Sequence, residues 1–461
     1  MKWVVFVLGL AGLLPLAIWL HRRRASSPWI WMLIGILPFL LSAGPRLQIA
    51  VISWPGWPGM TKGMEISALD LLAVAIYLGL GRSRHPLPFR FSLAFYLLTV
   101  LLSTLQAQEP VATIFYGWQL VRIFFVYMVV ARACEDERVA AWLMMGMGAG
   151  LYVEACFVVW QRFALHFLQT PGTFTHQNAL GVIANLVALP YFALLLAGKR
   201  GWSPVAVPLV SSVIVVLTAS RAALGLGVPG FIFAFALSLV RGVTARKALV
   251  ALIGVVAITI TVPLGLSSLE NRFKYNPLQA DYDERAALLH AGEMMFSDNP
   301  NGIGANNFAL VANLRGYEDV AGVAPRAESR SALIHNIYWL TAVETGYVGL
   351  GALLLLLLRP LIVAFRCGWR NRGDRRGDFL LGFATALLVF YIHSYFEWIF
   401  FSDQVQYLFA ITMGIIAGVA QQLGYWRPRV RLRTDQRSLY RVDRPQRGIW
   451  HVPEKQAPSN L

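Results

Sequence analysis

The sequence predicts an all-α polytopic membrane protein with about 12–13 transmembrane helices and one large outer loop containing short helices. Three observations predict it. Of 461 residues, 57% are hydrophobic and only 14% charged, against about 45–50% and about 25% in an ordinary soluble domain. Apolar stretches of about 20 residues, the length that crosses a hydrocarbon core, recur along the chain between short polar breaks. The net charge of +16 gathers in alternate loops, which is the bias of cytoplasmic loops rather than a nucleic-acid surface.

The first apolar stretch, 3–20, is followed by His21 and Arg22 to Arg24 and by no small-residue cleavage site, so it reads as a retained span. A second, 28–44, precedes Pro55–Gly56–Trp57–Pro58–Gly59, a turn on the outer side. Spans over 66–80, 91–106, 114–131 and 138–163 follow, with Arg82, Arg84 and Arg90 in the inner loop between the first two. Within 138–163, Gly146 and Gly150 form a small-xxx-small pair suited to helix packing. Pro171–Gly172 marks the next outer turn. The spans 178–197, 202–219, 222–240 and 248–266 then alternate around Lys199 and Arg200 and around Arg241, Arg246 and Lys247. After a long polar loop, 336–358, 379–398 and 405–423 complete thirteen spans, separated by the basic run from Arg359 to Arg376. That count puts the N-terminus outside and the C-terminus inside. Merging the first two into a re-entrant pair gives twelve spans with both ends inside. The basic tail from Arg427 to Lys455 suits anionic lipid head groups, and no nucleic-acid partner is expected. Cys134, Cys156 and Cys367 lie far apart and imply neither a disulfide framework nor a zinc site.

The segment 267–334 differs from everything else: hydropathy falls, and acidic residues outnumber basic ones, as sidedness requires of an outer loop. So long a segment is rarely structureless. Its run from Arg285 to Phe296 has amphipathic helical spacing, and Asp298–Asn299–Pro300–Asn301–Gly302 ends it with turn residues. One or two short helices capping the bundle are expected. The chain thus divides into an N-terminal transmembrane bundle over 1–266, an outer loop over 267–334, C-terminal transmembrane helices over 335–423 and a basic cytoplasmic tail over 424–461.

Charges within or near the ends of spans are functional candidates, because at mid-depth each costs several kcal/mol, roughly 2.5–3.5 on insertion scales. They are Arg122, Glu154, Arg162, Arg221, His393 and Glu397. Snorkelling or structural ion pairing accounts for Arg122, Glu154, Arg162 and Glu397 without a functional role. Arg221 marks a tight reversal between two apolar runs, where it can meet an anion at the membrane surface. His335–Asn336 sits where the loop meets the next span. An imidazole beside a helix N-terminus suits a general base, although a helix-capping role shared with Asn336 is the plainer reading. Arg272, Arg285, Arg315, Arg326 and Arg330 offer guanidinium groups that clamp phosphate, or solvated loop charges paired with Glu270, Asp281, Asp283 or Glu284. No metal-ligand spacing and no nucleotide-cradling loop is present on the outer side, and Asp281–Tyr282–Asp283 is the nearest approach to a metal motif.

His335–Asn336 followed by Gly346–Tyr347–Val348–Gly349 resembles the His-Asn…Gly-x-x-Gly signature of bacterial O-antigen ligases. Arg285 with Leu289, the turn from Asn299 to Phe308, Ser220–Arg221, and Thr175–His176–Gln177–Asn178–Ala179–Leu180–Gly181 match further elements of that superfamily, in the right order over about 175–357. The resemblance implies an inner-membrane, inverting, metal-independent glycosyltransferase with no cofactor. It would move O-antigen polysaccharide from undecaprenyl diphosphate to the lipid A–core oligosaccharide on the periplasmic side, making the outer loop periplasmic. His335 would be the base. Arg221 and Arg285 would hold the donor diphosphate, with Arg272 a competitor for the second position; Asn336, Gly346 and Gly349 support the motif. Arg122, which lies before any recognised motif, is a candidate assistant to the lipid phosphate on its charge alone. An O-antigen polymerase or a protein O-oligosaccharyltransferase would use the same donor. A transporter of lipid-linked sugar would instead show pseudo-symmetric halves, and the single lopsided loop argues against one.

Overall fold

The computed structural model describes residues 2–22, 27–42, 47–80, 86–275 and 278–426. Met1–Tyr425 form one compact unit; of the second, Trp426–Leu461, only Trp426 is described. The tail expected over 424–461 therefore lies almost wholly outside the described residues.

The first half comprises α1 (Lys2–Arg22), α2 (Pro28–Leu40), a hairpin of β1 (Gln48–Ser53) and β2 (Gly63–Ser67), then α3 (Ala68–Gly79), α4 (Arg90–Leu102), α5 (Pro110–Ala133) and α6 (Glu137–Phe163). It continues with α7 (Gln177–Leu196), α8 (Ser203–Thr218), α9 (Arg221–Val240) and α10 (Ala245–Tyr275). The loop region holds α11 (Leu278–Asp298), α12 (Phe308–Leu314), α13 (Tyr317–Ala321) and α14 (Ala327–Arg330). The chain closes with α15 (Ile337–Arg370), α16 (Arg375–His393) and α17 (Asp403–Gln422). Among the described residues, seven of these helices are long and apolar enough to cross a membrane, and four apolar helices are shorter. The protein is an all-α polytopic membrane protein.

Helix starts follow the chain's own capping residues. Ser67 caps α3 in a reciprocal box with Asp70, and Asp136, Ser220, Asn336 and Asp374 cap α6, α9, α15 and α16. In lipid the hydrophobic effect does not hold helices together, so close backbone approach must. The glycines supply it. A Cβ on Gly146 would stand 2.1 Å from the Met32 carbonyl and one on Gly150 2.3 Å from the Phe39 ring, so the small-residue pair is where α6 meets α2. Gly382 meets α7 at Pro190 and Ala193, and Gly414 and Gly418 meet α5 at Val130 and Cys134. Burial separates centre from rim: α17 and α7 are 94% and 89% buried, α9 only 28%.

The contacts give the directions. α17 runs parallel to α5, with Gln406 bonded to Gln119 near one end and Gly418 on Cys134 at the other. α7 runs antiparallel to α16, because Gly382 lies on Ala193 while Asn178 reaches Glu397 just beyond the end of α16. α1 runs parallel to α3, with Gly9 on Leu71 and Gly79 on Leu20, and α2 runs parallel to α6, with Gly146 on Met32 and Gly150 on Phe39. Lys199, Arg241, Lys247, Arg370 and Arg376 collect at the end of the bundle opposite His335, where Arg241 pairs with Asp378 at 2.9 Å.

Three elements differ from expectation. The hairpin was not foreseen: β1 and β2 pair antiparallel with a bulge at Ala50/Ile52, flanking the outer turn at Pro55–Gly59. Strands of five or six residues vanish in a reading tuned to stretches of 20. The loop is more helical than one or two short helices, because α10 runs on to Tyr275 and α11 has 21 residues. α16 ends at His393, so Glu397 falls in a turn rather than a span.

Candidate functional site

α15 begins at Ile337 because Asn336 accepts from the backbone N–H groups of Tyr338 and Trp339, at 2.9 and 3.1 Å. The capping role weighed for Asn336 is what it performs. His335, immediately before the cap, is left with its side chain 20% exposed and turned to the end of α16. There Ile337 N–H donates to the Ser394 carbonyl at 3.1 Å, locking the start of α15 to the turn that carries Glu397.

Glu397 is the hub. Its side chain is 3% exposed, with Oε2 at 3.0 Å from His335 Nδ1 and Oε1 at 3.1 Å from Arg285 Nη2. Oε1 also accepts from the Asn178 amide, and Arg285 Nη1 donates to the Phe396 carbonyl at 3.2 Å. Burial pushes the carboxyl pKa up, but the hydrogen bond and charge of His335, with the charges of Arg285 and His176, more than offset it and hold the value at about 2. An ionised carboxylate can only accept. His335 must therefore carry a proton on Nδ1, and in the neutral ring Nε2 is then the acceptor. His176, whose Nδ1 caps α7, stands beside Trp398 with ring centroids 6.1 Å apart.

A crossing of two backbones shapes the neighbourhood. The turn after α11 lays Ile303 N–H on the Val343 carbonyl and Gly304 N–H on the Glu344 carbonyl, at 3.1 and 2.9 Å. Phe308 N–H donates to the Glu344 carboxylate at 3.2 Å. Gly346 breaks α15 here with φ 71° and ψ −173°, and a Cβ on it would sit 2.6 Å from the Asn301 carbonyl. Gly302, facing it with φ +94°, has the Glu344 carbonyl in the same position. A Cβ on Gly349 would strike Thr345 Oγ1. The Gly-x-x-Gly element thus forms the bend over which the turn passes. Asn306 extends the junction by bonding to both the N–H and the carbonyl of Thr61, after the hairpin tip.

The sequence-expected residues divide accordingly. His335 and Arg285 meet on one carboxylate. Arg221 is the first residue of α9, after Ser220, which caps by accepting from Ala223 N–H. That start packs on α7 at Gly181, one turn from Asn178, and so lies at the same end of the bundle. Arg122 is elsewhere. It pairs with Asp70 at 3.1 Å beneath the hairpin, with Tyr407 OH donating to the same carboxyl group at 2.6 Å. Arg272 and Asp281 lie on helices whose side chains at those positions are outside the described residues. Arg330 pairs with Glu318 and Asp319 as a structural loop charge. Glu154 is a structural carboxylate taking the N–H and hydroxyl of Thr173. Glu397 was singled out only as a buried charge, and its partnership with His335, 62 residues away, has no spacing signature. Among the described residues, no three His, Cys, Asp or Glu side chains gather as a metal site.

Residues 206–354 match the O-antigen ligase family, a segment that holds Arg221, Arg285, His335, Gly346 and Gly349 and stops short of Glu397. No curated protein matches the chain.

Proposed function

We propose that this protein belongs to the O-antigen ligase and polymerase superfamily and is an O-antigen ligase of the bacterial inner membrane. It transfers O-antigen polysaccharide from undecaprenyl diphosphate to the lipid A–core oligosaccharide, by an inverting, metal-independent displacement on the periplasmic side. The observation that carries the reading is the His335–Glu397–Arg285 cluster beside the start of α15. Glu397 holds the imidazole in the tautomer whose Nε2 accepts a proton, the arrangement a general base requires. His335 takes the proton of the acceptor hydroxyl as its oxygen bonds to the anomeric carbon. The bond from that carbon to the diphosphate breaks on the opposite face, and undecaprenyl diphosphate departs with the electron pair. Arg221 and Arg285 take up the charge that develops. Arg272 is the alternative second arm of that clamp, and Arg122, engaged by Asp70, enters only as a more distant positive charge. The bundle end rich in Lys and Arg would face the cytoplasm and the His335 end the periplasm.

The test is to incubate the purified protein with undecaprenyl diphosphate-linked glycan and lipid A–core, without added metal and with EDTA, and follow the glycan by gel and mass spectrometry. Transfer to the core lipid is expected. Lengthening of the glycan on its own carrier would give a polymerase, transfer to Ser or Thr of a protein substrate an oligosaccharyltransferase, and no covalent change a transporter. Activity lost to EDTA and restored by a divalent ion would overturn metal independence.

A further inference from the structure

Four residues before Glu397 in the chain stands an imidazole that the proposed chemistry does not use. His393 is the last residue of α16 and wholly buried, and among the described residues neither of its ring nitrogens has a hydrogen-bond partner. A neutral imidazole carries one donor and one acceptor, and burying both unmet is unfavourable. The charges it senses are those of Glu397, His176 and Arg285, the members of the site itself. The turn that follows is closed by Phe396 N–H on the His393 carbonyl at 2.9 Å, so Glu397 comes one turn after His393.

The same site contains a conflict. Arg285 bonds to Glu397 Oε1 and to the Phe396 carbonyl, yet it is one of the two residues assigned to the donor diphosphate. Its side chain is 23% exposed, so it is open to an anion from outside the fold. If it turns outward, Glu397 keeps His335 and Asn178 but loses a donor on Oε1 while remaining buried.

We propose that His393 is a positioning residue that replaces Arg285 as hydrogen-bond donor to Glu397 when Arg285 engages the donor diphosphate. The inference rests on the reading of Arg285 as a diphosphate clamp. His393 holds Glu397, and through it His335, in place during the exchange, and the exchange lets one arginine serve in both states. The uncommitted imidazole is then the reserve partner of the carboxylate.

The test uses the full chain in lipid nanodiscs, undecaprenyl diphosphate-linked glycan as variable substrate, and the variants His393→Phe and His393→Gln. His393→Phe is expected to raise the donor KM about tenfold, the scale of one hydrogen bond, with the acceptor KM unmoved; His393→Gln, which keeps a donor, restores most of that loss. In an Arg285→Ala background His393→Phe should add nothing to the donor KM, because the exchange no longer occurs. A wild-type donor KM in His393→Phe, or an equal loss with and without Arg285, overturns the proposal. Should the phenylalanine variant fail to fold, His393→Leu gives the same comparison. If Arg285→Ala itself leaves the donor KM unchanged, the clamp reading has failed. If Arg285→Ala raises it and His393→Phe does not, this inference alone has failed.

Discussion

Glu397 shows how a single buried carboxylate fixes the chemistry of its neighbours. It is ionised in a nearly dry setting because three donors converge on it, so it determines which nitrogen of His335 holds the proton. Glu397→Gln keeps the shape but can donate to His335 and so allows the wrong tautomer. Transfer should fall about 10²-fold or more, the range in which general-base catalysis operates, in a protein that still folds; undiminished turnover would remove Glu397 from the account. The pH dependence has a definite sign. With its pKa depressed from an ordinary 4.5 to about 2, Glu397 contributes stability that is fully present above about pH 4.5 and lost as pH falls toward 2. The melting temperature of the wild type should therefore fall toward that of Glu397→Gln on acidification, and a difference independent of pH between 7 and 3 would contradict the assignment. His335 and Arg285 were legible in the sequence because each carries a local signature. Glu397 was not, since its meaning arises only when the end of α16 is brought to the start of α15.

At the scale of elements, the bend at Gly346 decides whether the outer turn can close on α15. Its φ and ψ are accessible essentially to glycine alone, and a side chain there would also meet the Asn301 backbone. Gly346→Ala should destabilise the protein by about 2 kcal/mol or more, read as a lower melting temperature in detergent with transfer reduced. A variant as stable as the wild type would mean that the crossing is not tight. The glycines could be read from the sequence as a motif, but not their purpose, because the partner segment 299–308 lies some 40 residues upstream. Spans set by continuous apolar runs were found within a few residues, as with 178–197 against Gln177–Leu196 and 222–240 against Arg221–Val240. Where helices continue past the apolar stretch, as α10 and α15 do, hydropathy no longer marks their ends. The hairpin escaped for a related reason: its strands owe their pairing to packing on α3 and α5, as the Trp118 side-chain bond to the Glu65 carbonyl illustrates.

For the whole molecule, charge is the most legible feature, and it supports one orientation. The residues at the end opposite His335 carry the Lys and Arg excess, so His335, α11 and the hairpin should face the periplasm. Among the described residues Glu328 is exposed beyond the site and Arg372 is exposed at the other end. With Cys134, Cys156 and Cys367 replaced, an impermeant maleimide should label Glu328→Cys from the periplasm and Arg372→Cys only after the inner membrane is breached. The reverse pattern would invert the topology and move the chemistry to the cytoplasm. The central claim, that His335 activates the acceptor, is tested most directly by single-turnover transfer from the lipid-linked donor with wild type and His335→Ala at matched folding. A loss of about 10²-fold or more with donor binding retained is predicted. Transfer at the wild-type rate by a folded His335→Ala protein would contradict it.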